Sequence, residues 1–520
     1  MSMHKDKDAV SHTHPGSKAY SAGVESPEPV IREYEYNCIN YWLNGRYYSQ
    51  DISPGISTLD FLNRRLNMYG TKCSCNEGDC GACTVVIASV EDYKISYQAI
   101  NSCLYPAAKL HHKHLITIEG LGTPDALHPI QQAMLDFHAT QCGYCTPGFV
   151  MSLFALLLNI EHPDNTQILS ALEGNLCRCT GYESILKAAN HLSQHIDSKG
   201  IKPIWCSNIE AAMLRFAKPI GYKQVAITQL HLSQKYYLPG SLEEYHSFVT
   251  RAWDEDFRII NGGTDLMVQV NIQRKRFPVL IDISHIPEMH HINEDESNIF
   301  IGGASTYAET LRSEIIGKHL PALHYMCDRI ASAQIRNFAT IAGNIANASP
   351  IGDTLPLLLV SAAELEILCL SGIKRIPLSE FFLGYRQTAL AKGDLILRII
   401  IPKQERGSRI RCSKASKRKS VDISAVCSAC KIVIEKGKIS YGSLAFGGVA
   451  ERPLLSKVFP KAVSGKMCSE LEVSDIAAGV AEEFQPLSDV RGSAQYRHRV
   501  IVNSIKSYLS SIKDRRGGRQ

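Results

Sequence analysis

Cys75–Val85 reads CNEGDCGACTV, a stretch in which three cysteines have the spacing C-x4-C-x2-C. A fourth cysteine, Cys103, follows beyond the next strand-like residues. Four thiolates with this spacing are typical of a plant-type [2Fe–2S] cluster, and Gly78 and Gly81 permit the tight backbone that wraps one. Zinc knuckles instead favour paired C-x2-C units. The spacing therefore predicts a cluster held by Cys75, Cys80, Cys83 and Cys103, and it leaves the neighbouring Cys73 outside the ligand set.

A second group of cysteines lies in a region with a helical pattern. It consists of Cys142 and Cys145, followed by Cys177 and Cys179. Each pair precedes a predicted helix, and the N-terminus of a helix favours the negative charge of a cluster. From spacing alone, a second [2Fe–2S] cluster and a zinc ion explain these four thiolates about equally well.

The composition is that of an ordinary globular protein. The 520 residues are 45% hydrophobic and 21% charged, with a net charge of +5 and 17 cysteines. That charge is too small to indicate nucleic-acid binding, and the apolar run Phe149–Leu158 is far shorter than the roughly 20 residues that span a bilayer. No signal peptide is recognisable. We therefore expect a cytoplasmic protein without nucleic-acid or membrane partners, whose clustered cysteines serve metal or redox chemistry.

Local patterns predict several domains with a multidomain α+β fold. Asn44-Gly45 between two strand-like runs predicts a hairpin with a type I′ turn, and Ser57 is the expected cap of a short helix. The basic segment 406–419 is predicted to be a loop. The predicted division is a disordered tail (1–36), a β-grasp, ferredoxin-like [2Fe–2S] domain (37–112), a four-helix-bundle domain with the second cysteine group (113–200), a linker (201–230), an α/β domain (231–405) and an α+β C-terminal domain (406–515).

Two glycine-rich segments of the α/β domain are candidate ligand loops. Ile259–Leu266 is a strand-like run that enters a Gly-Gly turn, and such a turn exposes N–H groups that can hold a phosphate. Thr340–Asn344 lies in a second segment rich in small and amide residues. Each segment alone is better explained by an ordinary tight turn. The chain has no G-x-G-x-x-G after a strand, so a Rossmann dinucleotide site is not predicted.

Taken together, these motifs resemble the molybdenum hydroxylase family, which includes xanthine dehydrogenases, aldehyde oxidases and carbon monoxide dehydrogenases. The family carries CxEGxCGACTV, then QCGxCTPG and GNxCRCTGY, and this chain matches them in order at Cys75–Val85, Gln141–Gly148 and Gly174–Tyr182. The resemblance covers about residues 37–195 and implies that the second cysteine group also holds a [2Fe–2S] cluster. Ser74 departs from the family, which usually has glycine there.

The same resemblance implies that the α/β domain is a PCMH-type FAD-binding domain, with both glycine-rich segments on the FAD pyrophosphate and Asp353 near the adenosine. Ile330 stands where the family commonly has an aromatic residue near the flavin ring, and an aliphatic side chain covers a ring without stacking as Phe does. The residues implied to contact FAD are Ile259, Ile260, Asn261, Gly262, Gly263, Thr264, Asp265, Leu266, Ile330, Thr340, Ile341, Ala342, Gly343, Asn344, Asp353, Leu397, Lys414 and Asp422.

The resemblance further implies an electron-transfer subunit with two [2Fe–2S] clusters and one FAD, and without catalytic side chains of its own. Two cluster domains and a flavin domain in one chain are similar to the arrangement of two-chain xanthine dehydrogenases. We therefore expect a molybdopterin-binding partner, an (αβ)₂ assembly, oxidation of hypoxanthine to xanthine and urate on the partner, and NAD⁺ as acceptor, with O₂ as an alternative. The other possibilities are a partner that oxidises another heterocycle or an aldehyde, or a zinc-stapled scaffold protein.

Overall fold

The computed structural model describes residues 38–91, 93–196, 198–216, 225–229 and 234–513. The predicted tail (1–36) and the C-terminal residues 514–520 lie outside these ranges, as do parts of the predicted linker. The described chain is a mixed α/β multidomain protein. No helix within these ranges is long and apolar enough to cross a membrane.

The first unit is a five-stranded sheet in the order β2-β1-β5-β3-β4. Asn44 and Gly45 have φ values of 47° and 84°, which confirms the type I′ turn. The Ser57 hydroxyl accepts a hydrogen bond from Asp60 N (3.1 Å), which confirms the predicted cap. The elements are β1 (Cys38–Leu43), β2 (Arg46–Asp51), α1 (Thr58–Asp60), β3 (Thr84–Glu91), β4 (Lys94–Asn101) and β5 (His114–Ile116).

The second unit is helical and packs against the first sheet. Phe149, Met151 and Phe154 of the apolar third helix are buried in one core with Val86 and Ala88 of β3. This shared core fixes the cysteine loops of the two units relative to each other. The elements are α2 (Pro129–Asp136), α3 (Thr146–Asn159), α4 (Asn165–Leu172) and α5 (Glu183–His195), followed by α6 (Ser198–Ile201) and α7 (Ile204–Phe216) within and just before the predicted linker.

The third unit contains two larger sheets, a two-stranded sheet formed by Phe382–Gly384 and Gln387–Thr388, and several helices. The first sheet has the order β6-β7-β9-β8, and the second has the order β10-β11-β16-β12-β13. Its strands are β6 (Val225–Gln229), β7 (Gln234–Leu238), β8 (Phe257–Ile260), β9 (Val279–Asp282), β10 (Ile292–Glu294), β11 (Asn298–Gly302), β12 (Glu364–Cys369), β13 (Gly372–Pro377), β14 (Phe382–Gly384), β15 (Gln387–Thr388) and β16 (Leu395–Pro402). Its helices are α8 (Leu242–Arg251), α9 (Thr264–Asn271), α10 (Tyr307–Arg312), α11 (Glu314–His319), α12 (Pro321–Cys327), α13 (Ala333–Arg336), α14 (Ile341–Asn347), α15 (Leu355–Val360) and α16 (Leu378–Phe381).

The fourth unit is an antiparallel sheet in the order β17-β18-β19-β20, covered by helices. Its elements are β17 (Ser408–Ala415), β18 (Val426–Glu435), β19 (Lys438–Gly447), β20 (Leu454–Leu455), α17 (Val458–Val463), α18 (Val473–Ala481) and α19 (Ala494–Lys513). The prediction of a loop at 406–419 is wrong, because β17 occupies most of this segment. Exposed Arg409 and Arg411 alternate there with half-buried Ile410 and Cys412, so the strand keeps these two arginines on the solvent side.

Candidate cofactor sites

In the first cysteine group the four predicted ligands form two thiol pairs. Cys75 is hydrogen-bonded to Cys80, and Cys83 to Cys103. The Asp79 N–H also donates to Cys75 Sγ (3.3 Å). The hydrogen bond from Cys80, joined by backbone N–H groups of the loop, lowers the pKa of Cys75 to about 5. The same hydrogen bond raises the pKa of Cys80, so within this pair Cys75 is the thiol held as the thiolate that a metal ligand requires.

The second group repeats this arrangement. Cys142 Sγ and Cys179 Sγ lie 3.7 Å apart, and Cys145 is hydrogen-bonded to Cys177. Cys177 Sγ accepts from the N–H groups of Cys179 and Thr180 at 3.4 Å each and lies 3.2 Å from Thr180 Oγ1. Burial raises the pKa of Cys177, but these hydrogen bonds outweigh it and the net shift is downward.

The pairs fit a binuclear cluster. Two thiolates on one tetrahedral metal with bonds of about 2.3 Å should lie about 3.8 Å apart, and Cys142 and Cys179 are 3.7 Å apart. Throughout the described ranges, no three His, Cys, Asp or Glu side chains are placed as ligands of one ion. A [2Fe–2S] cluster requires two protein ligands on each iron, whereas a structural zinc takes four on one ion.

The two cysteine loops are in direct contact. Leu176, the residue before Cys177, donates its N–H to Cys80 O (2.9 Å), and Asn175 Nδ2 donates to Gly81 O (3.0 Å). Gly81 has φ +67°, and a Cβ there would lie 2.3 Å from Gly174 O. Only glycine therefore allows the loops to approach so closely.

A cleft of about 530 Å³ lies in the third unit. Every residue of Ile259–Leu266 lines it, together with Ile330, Thr340, Ala342, Gly343 and Asn344. The fold thus brings together the two glycine-rich segments, which are about 80 residues apart in sequence. Ile341 points away from the cleft into the core beneath it, where it is fully buried.

The cleft has the features of a site for a phosphorylated ligand. Asn261 Nδ2 donates to Gly303 O (2.7 Å), while its buried Oδ1 has no hydrogen-bond partner among the described residues. A Cβ on Gly262 would lie 2.4 Å from Phe338 O. Gly263, at φ +82°, begins the eight-residue helix α9, and such an N-terminus favours an anion. The free acceptor of Asn261 fits a hydroxyl or N–H donor of a ligand, and the helix N-terminus fits a phosphate, so the lining fits a ligand such as FAD.

Four other predicted FAD contacts lie outside the cleft lining. Lys414 Nζ and Asp353 Oδ2 form an ion pair (2.8 Å) with side chains only 5% and 10% exposed, and Ser424 also donates to Asp353. Asp422 accepts from the N–H of Arg418 (2.9 Å) in a surface loop. Leu397 packs against the core that includes Tyr237 of β7, Phe257 of β8 and Val279 of β9. Their contact with FAD therefore stays a prediction.

Several residues that line the cleft were not predicted from the sequence. Tyr307 enters the cleft because its N–H donates to Ala339 O (2.9 Å), a pairing between distant segments that no local pattern indicates. The additional lining residues include Arg258, Gln269, Tyr307, Ala331, Ile335, Asn347 and Asp394.

The cleft adjoins the first cysteine loop. Asn271, at the end of the helix that begins at the Gly-Gly turn, donates to Cys103 O (2.7 Å) and Asn76 O (3.1 Å). Ile335 lines the cleft, and its Cδ1 lies 3.1 Å from where a Cβ of Gly78 would stand. One side chain therefore separates the cleft from the cysteine loop.

Three sequence families match consecutive parts of the chain. Residues 117–190 match a [2Fe–2S] binding domain. Residues 229–404 match the FAD binding domain in molybdopterin dehydrogenase, and residues 411–512 match the CO dehydrogenase flavoprotein C-terminal domain.

Similar proteins cover most of the chain. Xanthine dehydrogenase/oxidase of Rattus norvegicus is 30% identical over 91% of this chain and 39% of its own length. Xanthine dehydrogenase of Oryza sativa subsp. japonica is 32% identical over 82% of this chain and 36% of its own length. The chain thus spans about two fifths of the length of these curated relatives. Among solved structures, a carbon monoxide dehydrogenase of Hydrogenophaga pseudoflava matches 53% of this chain and 96% of its own chain, with 26% identity and a TM-score of 0.51.

Proposed function

The chain belongs to the molybdenum hydroxylase family and carries its iron–sulfur and FAD-binding modules, and from this premise we propose that it is the electron-transfer subunit of a xanthine dehydrogenase. The observation that carries the proposal is the continuous series of contacts between the second thiol group, the first thiol group and the cleft. Leu176 joins the two loops, and Asn271 joins the first loop to the helix of the cleft.

We infer two [2Fe–2S] clusters and one FAD in this chain, in a β-grasp domain, a four-helix bundle and a PCMH-type domain with the boundaries predicted above. When bound, the clusters pass single electrons and the flavin exchanges electrons in pairs. The protein holds the thiols as pairs, donates N–H groups to Cys75 and Cys177, and buries Cys83 and Cys103 away from water. Hydrogen bonding and burial are the means by which a protein tunes cluster potentials.

We further propose that a molybdopterin-binding partner in an (αβ)₂ assembly oxidises hypoxanthine to xanthine and xanthine to urate in the cytoplasm, and that NAD⁺ is the final acceptor. The relatives named xanthine dehydrogenase support this substrate. The exposed thiols Cys142 and Cys179 support electron entry from outside through the second group. A partner that oxidises another heterocycle or an aldehyde would use the same chain.

The cofactor proposal is tested by the iron, acid-labile sulfide, zinc and flavin content of the anaerobically purified chain. Two [2Fe–2S] clusters require about four iron per chain, and we expect one FAD with them. Cys103→Ser should lose about half of the iron, whereas Cys468→Ser should lose none. Zinc without iron or flavin would contradict the proposal and favour the scaffold alternative.

The acceptor is tested separately by anaerobic titration with NADH. If NAD⁺ is the natural acceptor, NADH should run the last step backwards and bleach the visible absorption of the flavin and clusters. Full bleaching by dithionite but none by NADH would contradict NAD⁺ as the acceptor and leave the cofactor proposal intact.

A further inference from the structure

Arg336 organises a loop at the edge of the cleft. Its side chain is only 4% exposed. Its Nη1 donates to three carbonyl oxygens, those of Asp328 (3.2 Å), Ile330 (3.0 Å) and Ala331 (3.1 Å). Ile330 and Ala331 line the cleft, and Ala331 has φ +48°, which a residue with a Cβ rarely adopts. The loop therefore folds around the guanidinium group, which stabilises its unusual backbone.

The acid that pairs with Arg336 comes from another unit. Arg336 Nη2 lies 2.9 Å from Glu173 Oε1, and the Glu173 side chain is 17% exposed. Glu173 ends α4 and stands four residues before Cys177, in the loop that carries the second thiol group. The pair therefore joins the loop of a predicted cluster ligand to the loop at the edge of the cleft.

Neighbouring contacts keep the two loops together. Gln334 Nε2 donates to Ala171 O and Asn175 Oδ1 at 3.0 Å each. A Cβ on Gly174 would lie 2.5 Å from Ser332 Cβ, so the backbone of one loop rests on the other. Movement of the loop that carries the second thiol group would therefore displace residues 328–332 directly.

Arginine is needed for this geometry. Its planar group offers five donors and can bind a carboxylate on one side and carbonyls on another. Lysine keeps the charge but presents a single ammonium, which cannot reach both sides. Removing the Glu173 charge leaves a buried cation without its counter-ion, which is strongly unfavourable.

We propose that Arg336, held by Glu173, is a positioning residue that fixes residues 328–331 at the edge of the cleft, so that the exposure of the bound flavin depends on the loop of the second thiol group. This inference rests on the flavin assignment of the proposed function. It adds that the helical unit controls the flavin site through one buried ion pair.

The test is hydrogen exchange of the full-length protein, read by mass spectrometry in peptides covering residues 328–331, with Arg336→Lys, Glu173→Gln and the double variant. Because a hydrogen bond to a charged group is stronger than a neutral one, exchange should accelerate about tenfold or more in Arg336→Lys and Glu173→Gln. The double variant should exchange no faster than Arg336→Lys, because both changes break one interaction. Arg375→Lys on β13 is the control, because it alters an ion pair with Glu366 of β12 (2.9 Å), and it should not change the exchange.

Iodide quenching of the flavin fluorescence provides a second readout. It should increase in Arg336→Lys and Glu173→Gln but not in Arg375→Lys, at equal flavin content. Unchanged exchange and quenching in Glu173→Gln, with flavin bound, would overturn the inference. If Arg336→Lys fails to fold, Glu173→Gln alone decides. A wild-type chain without flavin would instead overturn the proposed function, so the two failures are distinguishable.

Discussion

Gly81 and Gly181 have similar backbone conformations but different surroundings. Their φ values are +67° and +70°. A Cβ on Gly81 would lie 2.3 Å from Gly174 O, whereas a Cβ on Gly181 would meet nothing within 4 Å. Both positions therefore require a positive φ, but only Gly81 also lies where two loops come too close for a Cβ.

Gly81→Ala should therefore destabilise the protein more than Gly181→Ala. A positive φ costs an alanine about 1–2 kcal/mol at both positions, and overpacking against a backbone adds about 1–3 kcal/mol at Gly81 alone. The free energy of unfolding, measured in urea by far-ultraviolet circular dichroism, should show this difference. Equal losses in the two variants would mean that the loops do not lie in contact.

Thr180 provides a hydroxyl group 3.2 Å from Cys177 Sγ. Because hydrogen bonds to cluster sulfurs set cluster potentials, Thr180→Val should make the potential of the second cluster more negative and leave the first unchanged. Redox titration followed by electron paramagnetic resonance measures both. Thr140→Val is the control, since Thr140 Oγ1 contacts Thr146 Oγ1 (2.8 Å) rather than a sulfur. An equal shift in the control would contradict a specific role of Thr180.

At the scale of elements, α9 connects two sites with its two ends. It begins at the Gly-Gly turn of the cleft and ends at Asn271, which donates to carbonyls of the first cysteine loop. Asn271→Leu leaves these carbonyls unsatisfied, at a cost of about 1–3 kcal/mol. Urea unfolding measures the loss. Asn190→Leu, which removes a bond to Leu186 O (2.8 Å) within one helix, should cost less, and equal costs would contradict a connecting role for α9.

The sequence predicted local elements well where their signals are local. The Asn44-Gly45 turn depends on φ angles that its own residues prefer, and the Ser57 cap lies three residues from its donor. The thiol spacings and glycine-rich segments also required only neighbouring residues to be recognised.

Predictions from the sequence were wrong or incomplete where an element depends on a distant partner. The basic segment 406–419 has the composition of a loop, but β17 pairs with β18 from Ser408 to Ala415. An edge strand tolerates charges on its solvent side. The charged composition of this segment therefore did not distinguish a strand from a loop. Tyr307 and Asn271 carried no local signal for the same reason, because their contacts come from segments far away in the chain.

At the scale of the whole molecule, the contact between the first and third units is buried and polar. Lys109 forms an ion pair with Asp282 (3.5 Å), and both side chains are almost completely buried. Lys109 also donates to Asn261 O, in the cleft loop. His111 and His112 of the first unit lie beside His285 of the third, and burial lowers the pKa values of all three. This contact therefore requires neutral imidazoles.

Acid should weaken the first unit, including this contact, before it titrates ordinary carboxyl groups. Burial lowers the pKa of His112 to about 4 and that of His114 to about 3, whereas an unfolded histidine has a pKa of about 6.5. Between these values the unfolded chain binds more protons than the folded chain. The stability is therefore fully present above about pH 6.5 and is lost as the pH falls towards 4, by at most about 1.4 kcal/mol per pH unit for each histidine.

His114→Gln isolates one of these contributions. His114 Nε2 accepts a hydrogen bond from the N–H of Gly45 (3.2 Å), and the amide oxygen of glutamine can accept this bond without titrating. The variant should therefore lose less stability than the wild type between pH 6.5 and 5.5, by up to about 1.4 kcal/mol, in urea unfolding curves at the two pH values. His195→Gln, on the exposed surface of α5, should follow the wild type. A wild-type stability that stays constant over this range would show that the buried imidazoles of the folded chain gain protons as readily as those of the unfolded chain, and would contradict this prediction.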